Sequence, residues 1–247
     1  MILLLGGTKD SRMILEKLLK IEKEVILTLT TDFGAKYVKN HKNLTKIVAK
    51  LSPDDMRNII KKYKIDYIID ATHPYAEVVS ENIIKVNKEF EIPLIRYERK
   101  IKKFDFINYF DSYSEIKNYL KDKKENILFT IGSKNLYDFK NLYKNNNCFV
   151  RVLPMESVIK KCRNLNILPK NIIAMQGPFS EEFNKLLFKE KNIEYLITKE
   201  TGKAGGFDDK VLAARKLDIE VIVLKKPTLR FRNVMNNFKE VVEFVKE

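Results

Sequence analysis

Apolar residues in this 247-residue chain fall into short continuous runs, separated by longer stretches in which they return every three or four positions. A run of four or five closed by glycine or a polar residue reads as a strand buried on both faces, whereas the wider spacing reads as a helix with one buried stripe. The first run, residues 2–5, ends at Gly6-Gly7-Thr8, and Ile14, Leu15, Leu18 and Leu19 follow at helical spacing, with Thr8 or Asp10 as the cap. Further strands are predicted over 25–30, 44–48, 67–70 and 93–97, with a short helix over 34–39 and another over 77–90. A helix entered at Ser52-Pro53 carries Met56, Ile59, Ile60 and Tyr63 as its stripe. Pro74 is predicted at a first helical position, where its missing N–H breaks no bond, with Thr72 or His73 as the cap. In the second half the pattern predicts strands over 106–110, 127–131, 149–153, 172–175, 195–198 and 220–224, and helices over 112–120, 211–217 and 237–245.

Strand and helix alternating in this way imply an α/β fold: two Rossmann-like domains with mainly parallel sheets, facing each other across a cleft. The sharpest change in composition is Glu98-Arg99-Lys100-Ile101-Lys102-Lys103, read as the linker between domains at 1–103 and 104–247.

Candidate chemistry collects where strands end, which is the ligand edge of a parallel sheet. Gly6, Gly7 and Thr8, followed by Asp10 and Ser11, form a turn whose N–H groups and helix dipole favour an anion. The full Gly-x-Gly-x-x-Gly dinucleotide fingerprint is absent. Thr30, Thr31 and Asp32 end the second strand, where an acid accepts from a ribose 2′-OH and repels a 2′-phosphate, a lean towards NADH over NADPH. At Asp70-Ala-Thr-His-Pro-Tyr-Ala76 a hydroxyl, an imidazole and backbone N–H groups meet in one corner. The later strand ends carry Gly132-Ser133-Lys134, Gln176-Gly177 and Lys199-Glu200-Thr201-Gly202-Lys203-Ala204-Gly205-Gly206.

Composition narrows the partners. A net charge of +14 suits an anionic ligand but is spread through helices mixed with Glu and Asp, so a solvated basic surface explains it equally well. Cys148 and Cys162 lack metal-pair spacing, and with only His41 and His73 beside them no metal site is expected. No run approaches the roughly 20 apolar residues of a membrane span, and no basic leader precedes the first strand, so a cytoplasmic protein without a membrane partner is expected.

The ordered set GGTKDSR, DATHPYA, TIGSKN, AMQGPFSEE and TKETGKAGG followed by DDKVLAARKLDIEVIVLKKP resembles the precorrin-6A reductase family of cobalamin biosynthesis, over nearly the whole chain. The resemblance implies NAD(P)H-dependent reduction of one carbon–carbon double bond in precorrin-6A or cobalt-precorrin-6A. The implied partner is a polycarboxylate tetrapyrrole, which gives the basic surface a use. It further implies that Gly6, Gly7, Thr8, Asp10 and Ser11 hold the pyrophosphate, with Thr30, Thr31 and Asp32 near the adenosine. Thr72, His73 and Tyr75 would border nicotinamide and substrate. Ser133, Lys134, Gln176, Lys199, Glu200, Thr201, Gly202, Lys203, Gly205 and Gly206 would meet the macrocycle. His73, Tyr75, Lys199 and water are the candidate proton donors.

A transferase using S-adenosylmethionine and a basic nucleic-acid-binding module are the alternatives, the latter without any recognisable nucleic-acid motif. Titrating the purified protein with NADH, NADPH and S-adenosylmethionine separates the enzymes: a response to a nicotinamide nucleotide is expected, and one to S-adenosylmethionine alone contradicts the reductase reading.

Overall fold

A computed structural model of the chain describes residues 1–99, 102–145, 148–201, 205–227 and 229–246. The chain divides into two units, Met1–Lys100 joined by Pro227–Glu247, and Ile101–Lys226.

The first unit contains strands β1 (Ile2–Leu5), β2 (Val25–Leu29), β3 (Leu44–Val48), β4 (Tyr67–Asp70) and β5 (Leu94–Tyr97). Helices α1 (Lys9–Lys20), α2 (Asp32–Ala35), α3 (Pro53–Tyr63) and α4 (Glu77–Phe90) connect them. The second unit holds β6 (Ile107–Phe110), β7 (Ile127–Phe129), β8 (Cys148–Val152), β9 (Ile172–Ala174), β10 (Tyr195–Lys199) and β11 (Glu220–Leu224), with helices α5 (Tyr113–Tyr119), α6 (Glu156–Asn164), α7 (Glu181–Glu190) and α8 (Phe207–Arg215). Strand β12 (Asn233–Met235) and helix α9 (Phe238–Phe244) then return to the first unit.

Both sheets are six-stranded and parallel throughout, in the orders β12-β5-β4-β1-β2-β3 and β6-β11-β10-β7-β8-β9. Strand order reverses between β1 and β4 in the first and between β7 and β10 in the second, the crevice at which doubly wound folds bind ligands. The continuous apolar runs are explained by burial on two faces. Ile2 and Leu4 pack with Ile14, Leu15 and Leu18 of α1 on one side, while Leu3 and Leu5 pack with Met56, Ile59 and Ile60 of α3 on the other. In the second unit Leu128, Leu196, Val221 and Val223 pack with Phe188 of α7 and Val211 and Ala214 of α8.

Several expectations are corrected. The second domain does not run to residue 247. β12 extends the first sheet beside β5, Tyr97 stacks on Phe238, and Val241 and Val245 join the core under α1, so the last segment completes the first unit. The helix expected over 34–39 is the single turn Asp32–Ala35, capped by Thr31. Pro74 lies in a turn ahead of α4, whose cap is Ala76 with no side-chain hydrogen bond, because Thr72 is engaged elsewhere. α8 starts at Phe207, four residues before the expected 211, since Gly206 at φ +65° turns the chain into it. α6, α7 and β12 were not anticipated. Among the described residues no helix is long and apolar enough to cross a membrane, and no three His, Cys, Asp or Glu side chains are grouped to hold a metal ion.

The end of β4 is held by a buried charge network. The Asp70 carboxylate is 0% exposed and accepts from Thr72 N at 3.0 Å, Thr72 Oγ1 at 2.7 Å, Ser80 Oγ at 2.5 Å and the 1%-exposed Arg96 guanidinium at 2.6 Å. Breaking such a pair from one side leaves a buried uncompensated charge, at a cost of about 3–5 kcal/mol. Asp70→Asn and Arg96→Leu are each expected to weaken the first unit by about that amount. Ser80→Ala should cost about 1–3 kcal/mol. Urea unfolding followed by circular dichroism measures all three, and single-variant losses below about 1 kcal/mol would show that the pair is dispensable.

Candidate functional site

The turn after β1 sits at the strand-order reversal of the first sheet. Gly6 is packed so tightly that an added Cβ would lie 2.7 Å from Leu27 and 3.1 Å from Thr28 O, so helix and strand approach only around a glycine here. Gly7 is the opposite case: at φ +110° it has a conformation L residues rarely adopt, and a Cβ would meet nothing within 4 Å, leaving its backbone open to a ligand. Thr8 caps α1 by accepting from Ser11 N at 2.9 Å, and Ser11 Oγ in turn accepts from Thr8 N at 3.1 Å and Gly7 N at 3.2 Å. This capping box gives the helix start a fixed shape, and the positive end of the helix dipole points out of it. Asp10 does not face such an anion. Its carboxylate pairs with Arg99; burial raises its pKa while Arg99 opposes the rise. Thr30, Thr31 and Asp32 are exposed beyond β2, with Thr31 spent on its capping bond to Gly34 N.

The corner beyond β4 lies beside this turn, because Leu5 and Asp70 are register partners and Thr8 Oγ1 donates to Ala71 O at 2.9 Å. Thr72 is turned inward: its N–H and its hydroxyl both donate to Asp70, and the hydroxyl accepts from Arg96. His73 is exposed and its Nδ1 accepts from Tyr75 N at 3.3 Å; the two rings stand 5.7 Å apart, with Tyr75 half-buried. A neutral His73 ring therefore carries its proton on Nε2. The sequence places Gly6, Gly7, Thr8, His73 and Tyr75 at one edge, and the structure brings them together; it assigns Asp10, Ser11 and Thr72 to holding that edge in shape. A wider groove of about 730 Å³ in this unit, bordered by Pro93, Leu94 and Asn233, lies at the opposite, amino-terminal edge of the sheet.

In the second unit the predicted residues are dispersed. Lys199 Nζ donates to Asn135 Oδ1 at 3.3 Å and lies 5.7 Å from the Tyr113 ring. Glu200 is buried and accepts from Lys226 N at 3.3 Å. Ser133, Lys134 and Gln176 are at least partly exposed, Thr201 is half-buried, and none of these six lines the cavity at this edge. Gly205 and Gly206 do line it, while Gly202 and Lys203 lie outside the described residues.

That cavity, about 300 Å³, opens between the ends of β7 and β8, the Gly177-Pro178-Phe179 segment and the start of α8. Arg151 from β8 and Lys210 from α8 line it, and neither was anticipated as a site residue. Arg151 is 8% exposed, donates to Asn184 Oδ1 at 2.8 Å and lies 4.6 Å from the Phe179 ring centre. Lys210, 6% exposed, donates to Thr198 Oγ1 at 2.9 Å. Burial lowers both pKa values, Arg151 to about 10 and Lys210, with Arg151 beside it, to about 7. The available signal was a cation at an inward position: Arg151 in the strand CFVRV, and Lys210 one turn before Ala213-Ala214.

The chain matches the family model described as Precorrin-6x reductase CbiJ/CobK over residues 1–246. It is 40% identical over 245 residues to the cobalt-precorrin-6A reductase of Methanococcus maripaludis, covering 98% of this chain and 97% of the relative. It is 36% identical to the cobalt-precorrin-6A reductase of Priestia megaterium, covering 98% and 96%. The solved structure "CobK precorrin-6A reductase" superposes with a TM-score of 0.79 at 18% identity, covering 99% of this chain and 95% of that one, which shows a common fold.

Lys210 supplies a pH test. Its folded pKa of about 7 lies below the roughly 10.4 of an unfolded lysine. Between these values the unfolded chain holds a proton that the folded chain has released, so this residue adds stability as pH rises from 7 towards 10. Arg151 and Asn184 line the cavity with it and Thr198 accepts its hydrogen bond, and among the described residues no carboxylate lines the cavity to oppose the effect. Lys210→Met is expected to flatten this part of the profile. Urea midpoints of both proteins at about pH 7 and pH 9.5 measure the difference, and parallel profiles would contradict it.

Proposed function

The chain belongs to the precorrin-6x reductase family, and on that premise we propose that its substrate is the cobalt-bearing form of precorrin-6A and its preferred reductant NADH. It is an oxidoreductase that reduces one carbon–carbon double bond of precorrin-6A in cobalamin biosynthesis. The observation that carries this reading is the full-length relationship to reductases named for the cobalt-bearing ring. The lean to NADH rests on Asp32, exposed in the first turn after β2, where a carboxylate accepts from a ribose hydroxyl and repels a 2′-phosphate.

The first unit fits a dinucleotide. A Cβ at Gly7 would meet nothing within 4 Å, and the Thr8–Ser11 box fixes the helix start. In this reading the Gly6–Thr8 turn and the start of α1 hold the pyrophosphate. A bound nicotinamide supplies the hydride. His73 and Tyr75 border it, on a corner that the Asp70 network keeps still. The protein's main contribution is alignment of the two reactants and exclusion of water, effects that can remove roughly 7–11 kcal/mol of barrier. His73, Tyr75, Lys199 and water are the candidate proton donors.

Anaerobic turnover of cobalt-loaded and metal-free substrate with each nucleotide tests the reading. Higher kcat/KM is expected for cobalt-precorrin-6A and for NADH, and Asp32→Ser should bring NADPH closer to NADH. A preference for NADPH that this substitution leaves unaltered would remove Asp32 from the ribose site. Gly7→Val is expected to raise KM for the nucleotide at least about tenfold, the equivalent of 1.4 kcal/mol.

A further inference from the structure

Two buried cations without an acidic partner are unusual, because buried charges are normally paired. In the first unit Arg96 follows that rule, held by Asp70 and Glu98. In the second unit Arg151 and Lys210 do not: among the described residues each donates to a neutral side chain, Asn184 and Thr198, and neither forms an ion pair. The acids of the adjoining helix starts are paired elsewhere or do not line the cavity. Glu181 is paired with Lys216 and Lys185, and Asp208 and Asp209 do not line the cavity.

The surroundings favour negative charge. Gly206 lines the cavity and caps α8, nine residues long, so the positive end of that helix opens beside Lys210. The Phe179 ring under the Arg151 guanidinium, with Asn184 on one side, fixes the plane in which its remaining N–H groups are presented. Asn184 is itself held, donating to Phe179 O and Ser180 O. The volume of about 300 Å³ accepts an acetate or propionate arm and is too small for a whole macrocycle.

We propose that this cavity is an anion subsite in which Arg151 and Lys210 together grip one rim carboxylate of the tetrapyrrole. The assignment of the anion to the substrate rests on the reductase reading above; the anion site itself does not. An arriving carboxylate supplies the charge that the fold leaves out, and charge-assisted hydrogen bonds shielded from water are the stronger ones. It also orients the ring, since a single anchored arm fixes which edge of the macrocycle lies in the second unit's crevice.

The test uses the full-length protein and two probes. The first is tricarballylate, a small tricarboxylate. It is expected to raise the melting temperature of the wild type more than sodium chloride of equal ionic strength, and to lose that advantage in Lys210→Gln and Arg151→Gln. Equal shifts by the two salts in the wild type overturn the anion site, whether or not the variants fold. The second is steady-state turnover of cobalt-precorrin-6A with NADH. In folded variants KM for the tetrapyrrole should rise at least about tenfold while KM for NADH moves less than about twofold, and Lys210→Arg should restore most of the loss. An unchanged tetrapyrrole KM overturns the proposal, and a raised KM for NADH in its place assigns the anion to a cofactor phosphate and overturns the carboxylate. Absence of turnover in the wild type with either form of the ring is failure of the reductase reading, and the tricarballylate result then still decides whether the anion site exists.

Discussion

The ion pair between Asp70 and Arg96 is the constraint on which the first unit's ligand edge depends. Both groups leave water entirely, at a desolvation cost of several kcal/mol each, and the pair is tolerable because every strong partner is present. Arg96 reaches across from β5, Ser80 from α4 and Thr72 from the corner itself, so one carboxylate joins three elements. Apolar side chains of equal volume could fill that space with similar stability, but they would not dictate where the chain must leave the sheet. The bond from Thr8 to Ala71 then passes this geometry to the glycine turn beside it. The exposed position of His73 follows from bonds that its neighbours Asp70, Ala71 and Thr72 make with the rest of the unit.

The second unit uses the same strand order with the opposite electrostatics. Its reversal point also has a glycine-bearing loop, yet its buried arginine meets an amide and an aromatic ring where the first unit offers a carboxylate. One edge is finished as folded, and the other has charge left to satisfy. The difference is between a corner whose buried charges are paired and a cavity whose two basic side chains meet only neutral ones.

Much of the architecture was legible because parallel strands buried on both faces have no other way to be written than as apolar runs. β1, β4 and β11 match their expected bounds for that reason. The failures have physical causes too. Pro74 is compatible with a helix start, but proline is equally at home in a turn, and Thr72 is drawn away from capping by Asp70 and by Arg96, 24 positions on. α7 was hidden because its buried residues, Asn184 and Phe188, include a polar one whose role depends on Arg151, distant in sequence. For the site, local chemistry pointed to the turn and the corner, which the bond from Thr8 to Ala71 holds side by side. It missed Arg151 and Lys210, since a charged residue in a strand or helix reads as solvent-facing until its contacts are known. Asp10 shows the reverse error, an acid at a helix start whose partner Arg99 stands 89 positions away.

The return of residues 227–247 to the first sheet makes the second unit an insertion within the first. On a ribosome the chain emerges from its amino terminus, so β1 to β5 are synthesised while β5 still lacks its neighbour β12 and α1 lacks its cover α9. At roughly 5–20 residues per second the intervening unit occupies several seconds of synthesis. During that interval the first sheet carries an open edge and an uncovered apolar stripe, whereas the second unit has all its strands in one continuous stretch. The order of completion therefore runs against the order of the sequence: the inserted unit closes first, and the glycine turn that begins the chain acquires its finished scaffold last.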